Sequence, residues 1–315
     1  RKLLPNHIST PFGGLKYKRM NELLKRCITG IIYVFLLLTA IMLSNAEAFG
    51  FLFLVFGLIC LFEFKRLVRL TGSTIYLIFL FLWWCFNYLI PISEFGSNLF
   101  VYLLLLAVIS TDIYLVFYLY KKENVKYETW QKFLLNLFYV GGGCLFISLL
   151  YKLEIYKNEQ ELSNPFAFWE FSQWRFSEAF SEAQHTMIAL LAIIWASDSF
   201  AYVSGHFLGR TKLFPSVSPK KTVEGFIGGL VGALLIAAWL SLYSNKELWK
   251  WLIVAAVLVV TGTLGDLVES KFKRVAGKKD SGTILPGHGG LLDRLDSLIF
   301  ASPFAFITLL VLSYF

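Results

Sequence analysis

Nine apolar runs dominate the chain, at roughly 27–44, 49–64, 74–92, 99–120, 133–151, 186–207, 223–243, 249–267 and 291–314. All but the second reach the length of about 17–25 residues that a helix needs to cross the hydrocarbon of a bilayer. Backbone N–H and C=O groups find no water there, so a spanning segment must bond within itself, as a helix does. The pattern predicts an all-α, polytopic integral membrane protein of about nine transmembrane helices. Composition agrees. Of 315 residues, 57% are hydrophobic and 16% charged, against about 45–50% and 25% in soluble domains. A soluble enzyme and a disordered chain are both excluded.

The net charge of +8 is sorted by linker. Basic residues precede the first run, follow the second (Lys65, Arg66, Arg69) and lie between the fourth and fifth (Lys121, Lys122, Lys126, Lys132). They also follow the sixth (Arg210, Lys212, Lys220, Lys221) and the eighth (Lys271, Lys273, Arg274, Lys278, Lys279). The alternate linkers hold only Lys152, Lys157, Arg175, Lys246 and Lys250. Cytoplasmic loops carry the Lys/Arg excess, so the N-terminus is expected inside and the C-terminus outside, a parity that nine spans satisfy. Read this way, the basic excess is no sign of nucleic-acid binding.

Four regions follow. Residues 1–26 are a basic tail. Its first 19 read either as a disordered extension or as sequence upstream of a start at Met20. Residues 27–151 hold five helices, 152–185 form an outer-face linker, and 186–315 hold the remaining, catalytic helices. A signal peptide ending at Ala46-Glu47-Ala48 is a lesser alternative for the first run. The linker is rich in Glu and aromatics, with Pro165 at its middle. It reads as a segment lying on lipid or as a cap over the helix ends. Cys27, Cys60, Cys85 and Cys144 show no CxxC pair, so neither a disulfide framework nor a zinc site is supported. His7, His185 and His206 suggest nothing catalytic.

Ionisable residues within spans are costly and commonly functional. The first five runs contain one clear case, Asp112, beside Ser110 and Thr111, for which a satisfied interhelical hydrogen bond is the plainer expectation. After residue 190 they gather: Asp198, then Asp266 and Glu269, then Asp293, Arg294 and Asp296. All fall in the cytoplasmic half, which argues for one polar cavity open to that side. Asp293 and Asp296 share a helix face at i,i+3. Two carboxylates aimed together repel unless a cation lies between them. Oxygen donors without His or Cys suit Mg²⁺, and Asp266 could join from the neighbouring helix. A structural cluster paired with Arg294 is the bland alternative. Gly287-His288-Gly289-Gly290 precedes the ninth run, where backbone N–H groups can approach an anion. Ser218-Pro219-Lys220-Lys221-Thr222 opens the seventh, and its lysines suit phosphates or simple cytoplasmic anchoring. Lys273, Arg274, Lys278 and Lys279 carry the same two readings.

From Ser270 to Asp296 the chain reads SKFKRVAGKKDSGTILPGHGGLLDRLD. This resembles the signature of phosphatidate cytidylyltransferases (CDP-diacylglycerol synthases) without departure. The segments around Asp198-Ser199-Phe200, Gly209-Arg210-Thr211-Lys212 and Ser218–Gly225 also look like that family, as does Phe62-Glu63-Phe64 more faintly. The resemblance implies an enzyme that makes CDP-diacylglycerol and pyrophosphate from CTP and inner-leaflet phosphatidate. It implies a homodimer in the cell membrane, with its active site facing the cytoplasm. It also implies Mg²⁺ on Asp266 and Asp293 with Asp296 beside them, and K⁺ as a second cation. Catalysis is then assigned to Asp266, Asp293, Asp296, Lys220, Lys221 and Arg294. Substrate phosphates fall to Ser218, Lys273, Arg274 and Lys279, to the turn His288-Gly289-Gly290, and to Asp198.

Two other functions fit parts of the pattern. A CTP-dependent polyprenol or lipid kinase would transfer the γ-phosphoryl group instead. A secondary transporter could use Asp112 and Asp198 to couple ions, but the charges gather on one side and no inverted repeat is visible.

Overall fold

A computed structural model describes residues 11–43, 46–90, 98–121, 126–158, 182–244 and 247–313. Its helices follow the apolar runs, except that the first also takes in residues 11–26 of the expected basic tail, part of which reads in the sequence as a disordered extension or upstream segment. They are α1 (Pro11–Met42), α2 (Ala46–Val68), α3 (Thr74–Trp84), α4 (Leu99–Tyr120), α5 (Thr129–Leu135), α6 (Gly143–Asn158), α7 (Glu182–Phe207), α8 (Val223–Ser244), α9 (Leu248–Val275) and α10 (Leu292–Leu312). Wider π-helical turns extend α3 through Cys85–Leu89 and join α5 to α6 through Asn136–Gly142. Eight of these segments are long and apolar enough to span a bilayer, α5 and α6 counting as one. The third run, 74–92, forms a shorter apolar helix, Thr74–Leu89.

The fused α5–α6 segment is the centre of the bundle: 83% of an 18-residue window within Thr129–Leu153 is buried, against 17% of Lys25–Met42 in α1. Apolar side chains gain little from meeting each other rather than lipid, so small residues that admit close backbone approach hold such bundles together. Gly143 is one. A Cβ there would strike the backbone of Ile299 in α10, and the Ser302 hydroxyl of α10 donates to the Gly143 carbonyl at 2.8 Å. Gly225, Gly229 and Gly232 let α8 lie against α7 in the same manner.

Side-chain bonds identify which helix ends meet. At one end, Glu63 of α2 reaches Leu292 of α10, and Thr29 of α1 reaches His288. The Lys271 ammonium of α9 caps the carbonyls of Tyr118, Leu119 and Lys121 at the end of α4. At the other end, Gln184 of α7 bonds the Ile41 and Met42 carbonyls of α1. There too Lys152 of α6 bonds the Asn87 carbonyl. The basic linkers after α2, α4, α7 and α9 therefore share one end of the bundle.

Three further expectations are revised. The stretch that opens the seventh run is a strand. β1 (Lys212–Phe214) pairs antiparallel with β2 (Ser218–Thr222), Lys212 opposite Thr222 and Phe214 opposite Ser218. Its last residue caps α8 as the Thr222 hydroxyl accepts the Gly225 N–H at 3.1 Å. Asp112 is buried, but neither carboxylate oxygen has a hydrogen-bond partner among the described residues. Ser110 and Thr111 do not serve it, because both hydroxyls donate to carbonyls of their own helix. The outer linker is shorter than 152–185, since α6 runs to Asn158 and α7 begins at Glu182. Residues 159–181, including the aromatic stretch around Pro165, lie outside the described residues, as do residues 1–10 of the tail. All four cysteines are free, with Cys60 and Cys144 buried.

Candidate active site

The site forms where the end of α9, the start of α10 and the β1–β2 hairpin meet. Asp266 and Glu269 lie one turn apart on one face of α9. With Asp296 of α10 they bring three carboxylate oxygens within 4.8 Å of one another. Two lysines neutralise this charge. Lys221, from β2, is ion-paired with Asp266. Lys273 bridges Glu269 and Asp293, its Nζ 2.7 Å from Asp293 Oδ1. Glu269 is fully enclosed, and Lys273 is its one ion-pair partner among the described residues. Four carboxylates, with Asp293, stand against two lysines, and a largely buried, all-oxygen set with that excess of negative charge suits a hard divalent cation.

Asp293, expected as a metal ligand with Asp266 and Asp296, lies outside the trio of Asp266, Glu269 and Asp296. Its carboxylate accepts the Ser281 N–H at 2.9 Å and the Gly290 N–H at 2.7 Å, in addition to Lys273. The glycine turn therefore spends N–H groups on the chain's own carboxylates rather than presenting them to an external anion. Leu292 N–H goes to Glu63 Oε2 at 2.8 Å. Gly287 and Gly289 supply the left-handed backbone of the turn, with φ of 83° and 90°.

A cavity of about 300 Å³ opens beside the cluster. Asp198, His288, Asp293, Arg294 and Asp296 line it together with the apolar Tyr33, Leu191 and Trp195. Arg294 donates to the His288 carbonyl at 3.2 Å. The His288 ring meets the Thr29 hydroxyl of α1 at 2.6 Å. Burial, with the Arg294 and Arg26 charges, holds this imidazole below the usual histidine range.

Most of the residues singled out by sequence converge here, but four do not join the cluster. Lys220 is exposed, and the two-residue period of a strand turns it to the face opposite Lys221. Lys279 is exposed in the loop. Arg274 is committed to backbone, donating to the Val217 carbonyl at 3.4 Å and the Lys278 carbonyl at 3.1 Å. It ties the hairpin to α9. Ser218 is half-buried opposite Phe214. In turn, Glu269, Glu63 and Thr29 enter a site that the sequence reading assigned without them. The i,i+3 spacing from Asp266 was a signal for Glu269. Glu63 stood at the margin of an apolar run, where a charge looks interfacial.

Fold and site together define a polytopic membrane protein whose helix ends build one carboxylate-and-lysine centre beside a cavity. The chain belongs to the cytidylyltransferase family, whose profile matches residues 24–312. It is 47% identical over 135 residues to the phosphatidate cytidylyltransferase of Staphylococcus saprophyticus, 42% of this chain and 52% of that one. Over 132 residues it is 46% identical to the Staphylococcus haemolyticus protein of the same name, covering 41% and 51% of the two chains. Identity to the Staphylococcus aureus protein is 44% over 137 residues, 43% and 53% of the two. The chain thus spans about half the length of the curated relatives it matches.

Proposed function

We propose that this protein transfers the cytidylyl group of CTP to phosphatidate, forming CDP-diacylglycerol and pyrophosphate. The observation that carries this reading is the cluster of Asp266, Glu269 and Asp296, with Asp293 behind Lys273, beside a cavity lined by both polar and apolar side chains. The names of the relatives support the substrate assignment.

In the step proposed, an oxygen of the lipid phosphate attacks the α-phosphorus of CTP. A P–O bond forms there as the bond to the bridging oxygen of the β-phosphate breaks, and pyrophosphate leaves with that electron pair. A phosphate monoester is already anionic near neutral pH, so the site needs no strong base. Asp266, Glu269, Asp293 and Asp296 would hold Mg²⁺, which supplies charge neutralisation for the phosphates and the leaving group. Lys221 and Lys273 are screened by the carboxylates in the structure and are the cations nearest to an entering triphosphate. Arg294, in the cavity wall, is placed for the lipid phosphate. Catalysis then rests on positioning and preorganised charge. The apolar lining residues Tyr33, Leu191 and Trp195 fit the glycerol-ester region of a lipid whose chains stay in the bilayer.

The basic linkers lie at the site's end of the bundle, so the positive-inside rule supports a site facing the cytoplasm and an inner-leaflet lipid. A homodimer in the cell membrane is part of the same reading. Purified protein given CTP, phosphatidate and Mg²⁺ should release pyrophosphate only when the lipid is present, and EDTA should abolish the release. Pyrophosphate release that ignores phosphatidate would overturn the assignment.

A further inference from the structure

Glu63 belongs to none of the motifs that carry the proposed chemistry, yet its carboxylate sits inside the loop that orients Asp293. It lies near the end of α2 and is 1% exposed. Oε2 accepts the Leu292 N–H at 2.8 Å and the Ser281 hydroxyl at 3.3 Å. The Ser281 N–H goes to Asp293, so one serine is shared between the two carboxylates. The Leu292 bond matters because the first turn of a helix has no internal partners for its N–H groups. No side chain of α10 caps its own N-terminus; Glu63 does so from another helix. A Cβ at Gly282 or at Gly290 would run into this same carboxylate. Two glycines of the 280–292 loop are thus explained by a residue far away in sequence.

We propose that Glu63 is a positioning residue for Asp293. It clamps Ser281 and the first turn of α10, so that Asp293 is presented to Lys273 and the acidic cluster. The proposal rests on the reading of that cluster as a cation and phosphate site. Glu63 touches neither substrate nor cation and acts only through the loop. A glutamine can accept the same two hydrogen bonds. An alanine leaves a buried N–H and a buried hydroxyl without their acceptor. Removing a group that orients a metal ligand costs about 10–100-fold in metal affinity or activity.

The test uses purified full-length protein in two measurements. Backbone hydrogen exchange across 281–293, without substrate, reads the clamp. The Mg²⁺ dependence of activity, together with the Mg²⁺-dependent rise in melting temperature, reads its consequence. Glu63→Ala is expected to speed exchange in that segment and to raise the Mg²⁺ requirement by about tenfold or more, with Glu63→Gln close to wild type in both. Gly282→Ala should also be impaired. Combined with Glu63→Ala, it should lose less than the product of the two single losses, because the two groups collide. If Glu63→Ala does not fold, Glu63→Asp replaces it, its carboxylate drawn back by one methylene from Leu292. The proposal is overturned if the Ala or Asp variant exchanges like wild type. Faster exchange with an unchanged Mg²⁺ requirement also overturns it, as does Glu63→Gln as impaired as Glu63→Asp. A wild-type protein without transferase activity would defeat the proposed reaction alone, since exchange and the Mg²⁺-dependent melting shift still decide the role of Glu63.

Discussion

Replacing Lys273 by methionine keeps the length of the side chain and removes its charge. Lys273 is the only group ion-paired with Glu269 among the described residues, and it also bonds Asp293. The three side chains are 10%, 0% and 7% exposed, so water compensates little when the ammonium is lost. Breaking a buried pair by removing one partner costs about 3–5 kcal/mol, because the other charge is left uncompensated. Lys273→Met should therefore lower stability by about that amount in EDTA, read by reversible denaturant unfolding in detergent micelles. Mg²⁺ should restore part of the loss, since a divalent cation among the same carboxylates replaces the missing charge. Adding Glu269→Gln removes the stranded carboxylate, so the double variant should be more stable than Lys273→Met alone. Equal stability of Lys273→Met and wild type in EDTA would refute this account of the cluster. So would strictly additive losses in the double variant, because groups in contact must couple.

Other outcomes follow from the same geometry. Gly143→Val should prevent α6 from approaching the Ile299 backbone and should abolish stable assembly, seen as loss of monodisperse protein on size exclusion. Asp112→Val, which removes two buried acceptors without partners among the described residues, should be neutral or stabilising in a thermal melt and leave transferase activity nearly intact. The His288 imidazole is held below its ordinary 6.5, so the unfolded chain takes up that proton first as the medium is acidified. The stability contributed by the neutral ring is complete above about pH 6.5 and is lost as pH falls below it. Melting temperature should drop in that window, and His288→Gln should flatten the drop. Thr29→Val, which cannot bond the ring, should lower activity while Thr29→Ser retains it.

What sequence could show divides along physical lines. Helices of a membrane protein are fixed by run length and backbone satisfaction, so α2 to α10 fall where the apolar runs lie, while α1 starts at Pro11, ahead of its run. Local spacing also carried far. Asp266 and Glu269 on one face of α9, and Asp296 on the first turns of α10, are near-neighbour relations that a helical period exposes. Contacts between distant helices were not visible. Glu63 closes on Leu292 across more than two hundred residues, and its one local signal is the faint family likeness of Phe62-Glu63-Phe64. The hairpin hid for a different reason: its strands hold only three and five residues, too short for an alternating pattern to stand out. Asp112 failed by assumption, since an expected interhelical bond depends on which side chains the neighbouring helices turn toward it.

The central claim is that this cluster passes the cytidylyl group, and not the terminal phosphate, to a lipid. The direct measurement uses CTP labelled at either the α- or the γ-phosphate, with phosphatidate, Mg²⁺ and purified protein. The account requires α-label in the chloroform-soluble lipid and γ-label in released pyrophosphate. Gamma-label in the lipid, with CDP left behind, would contradict it and assign the site to phosphoryl transfer.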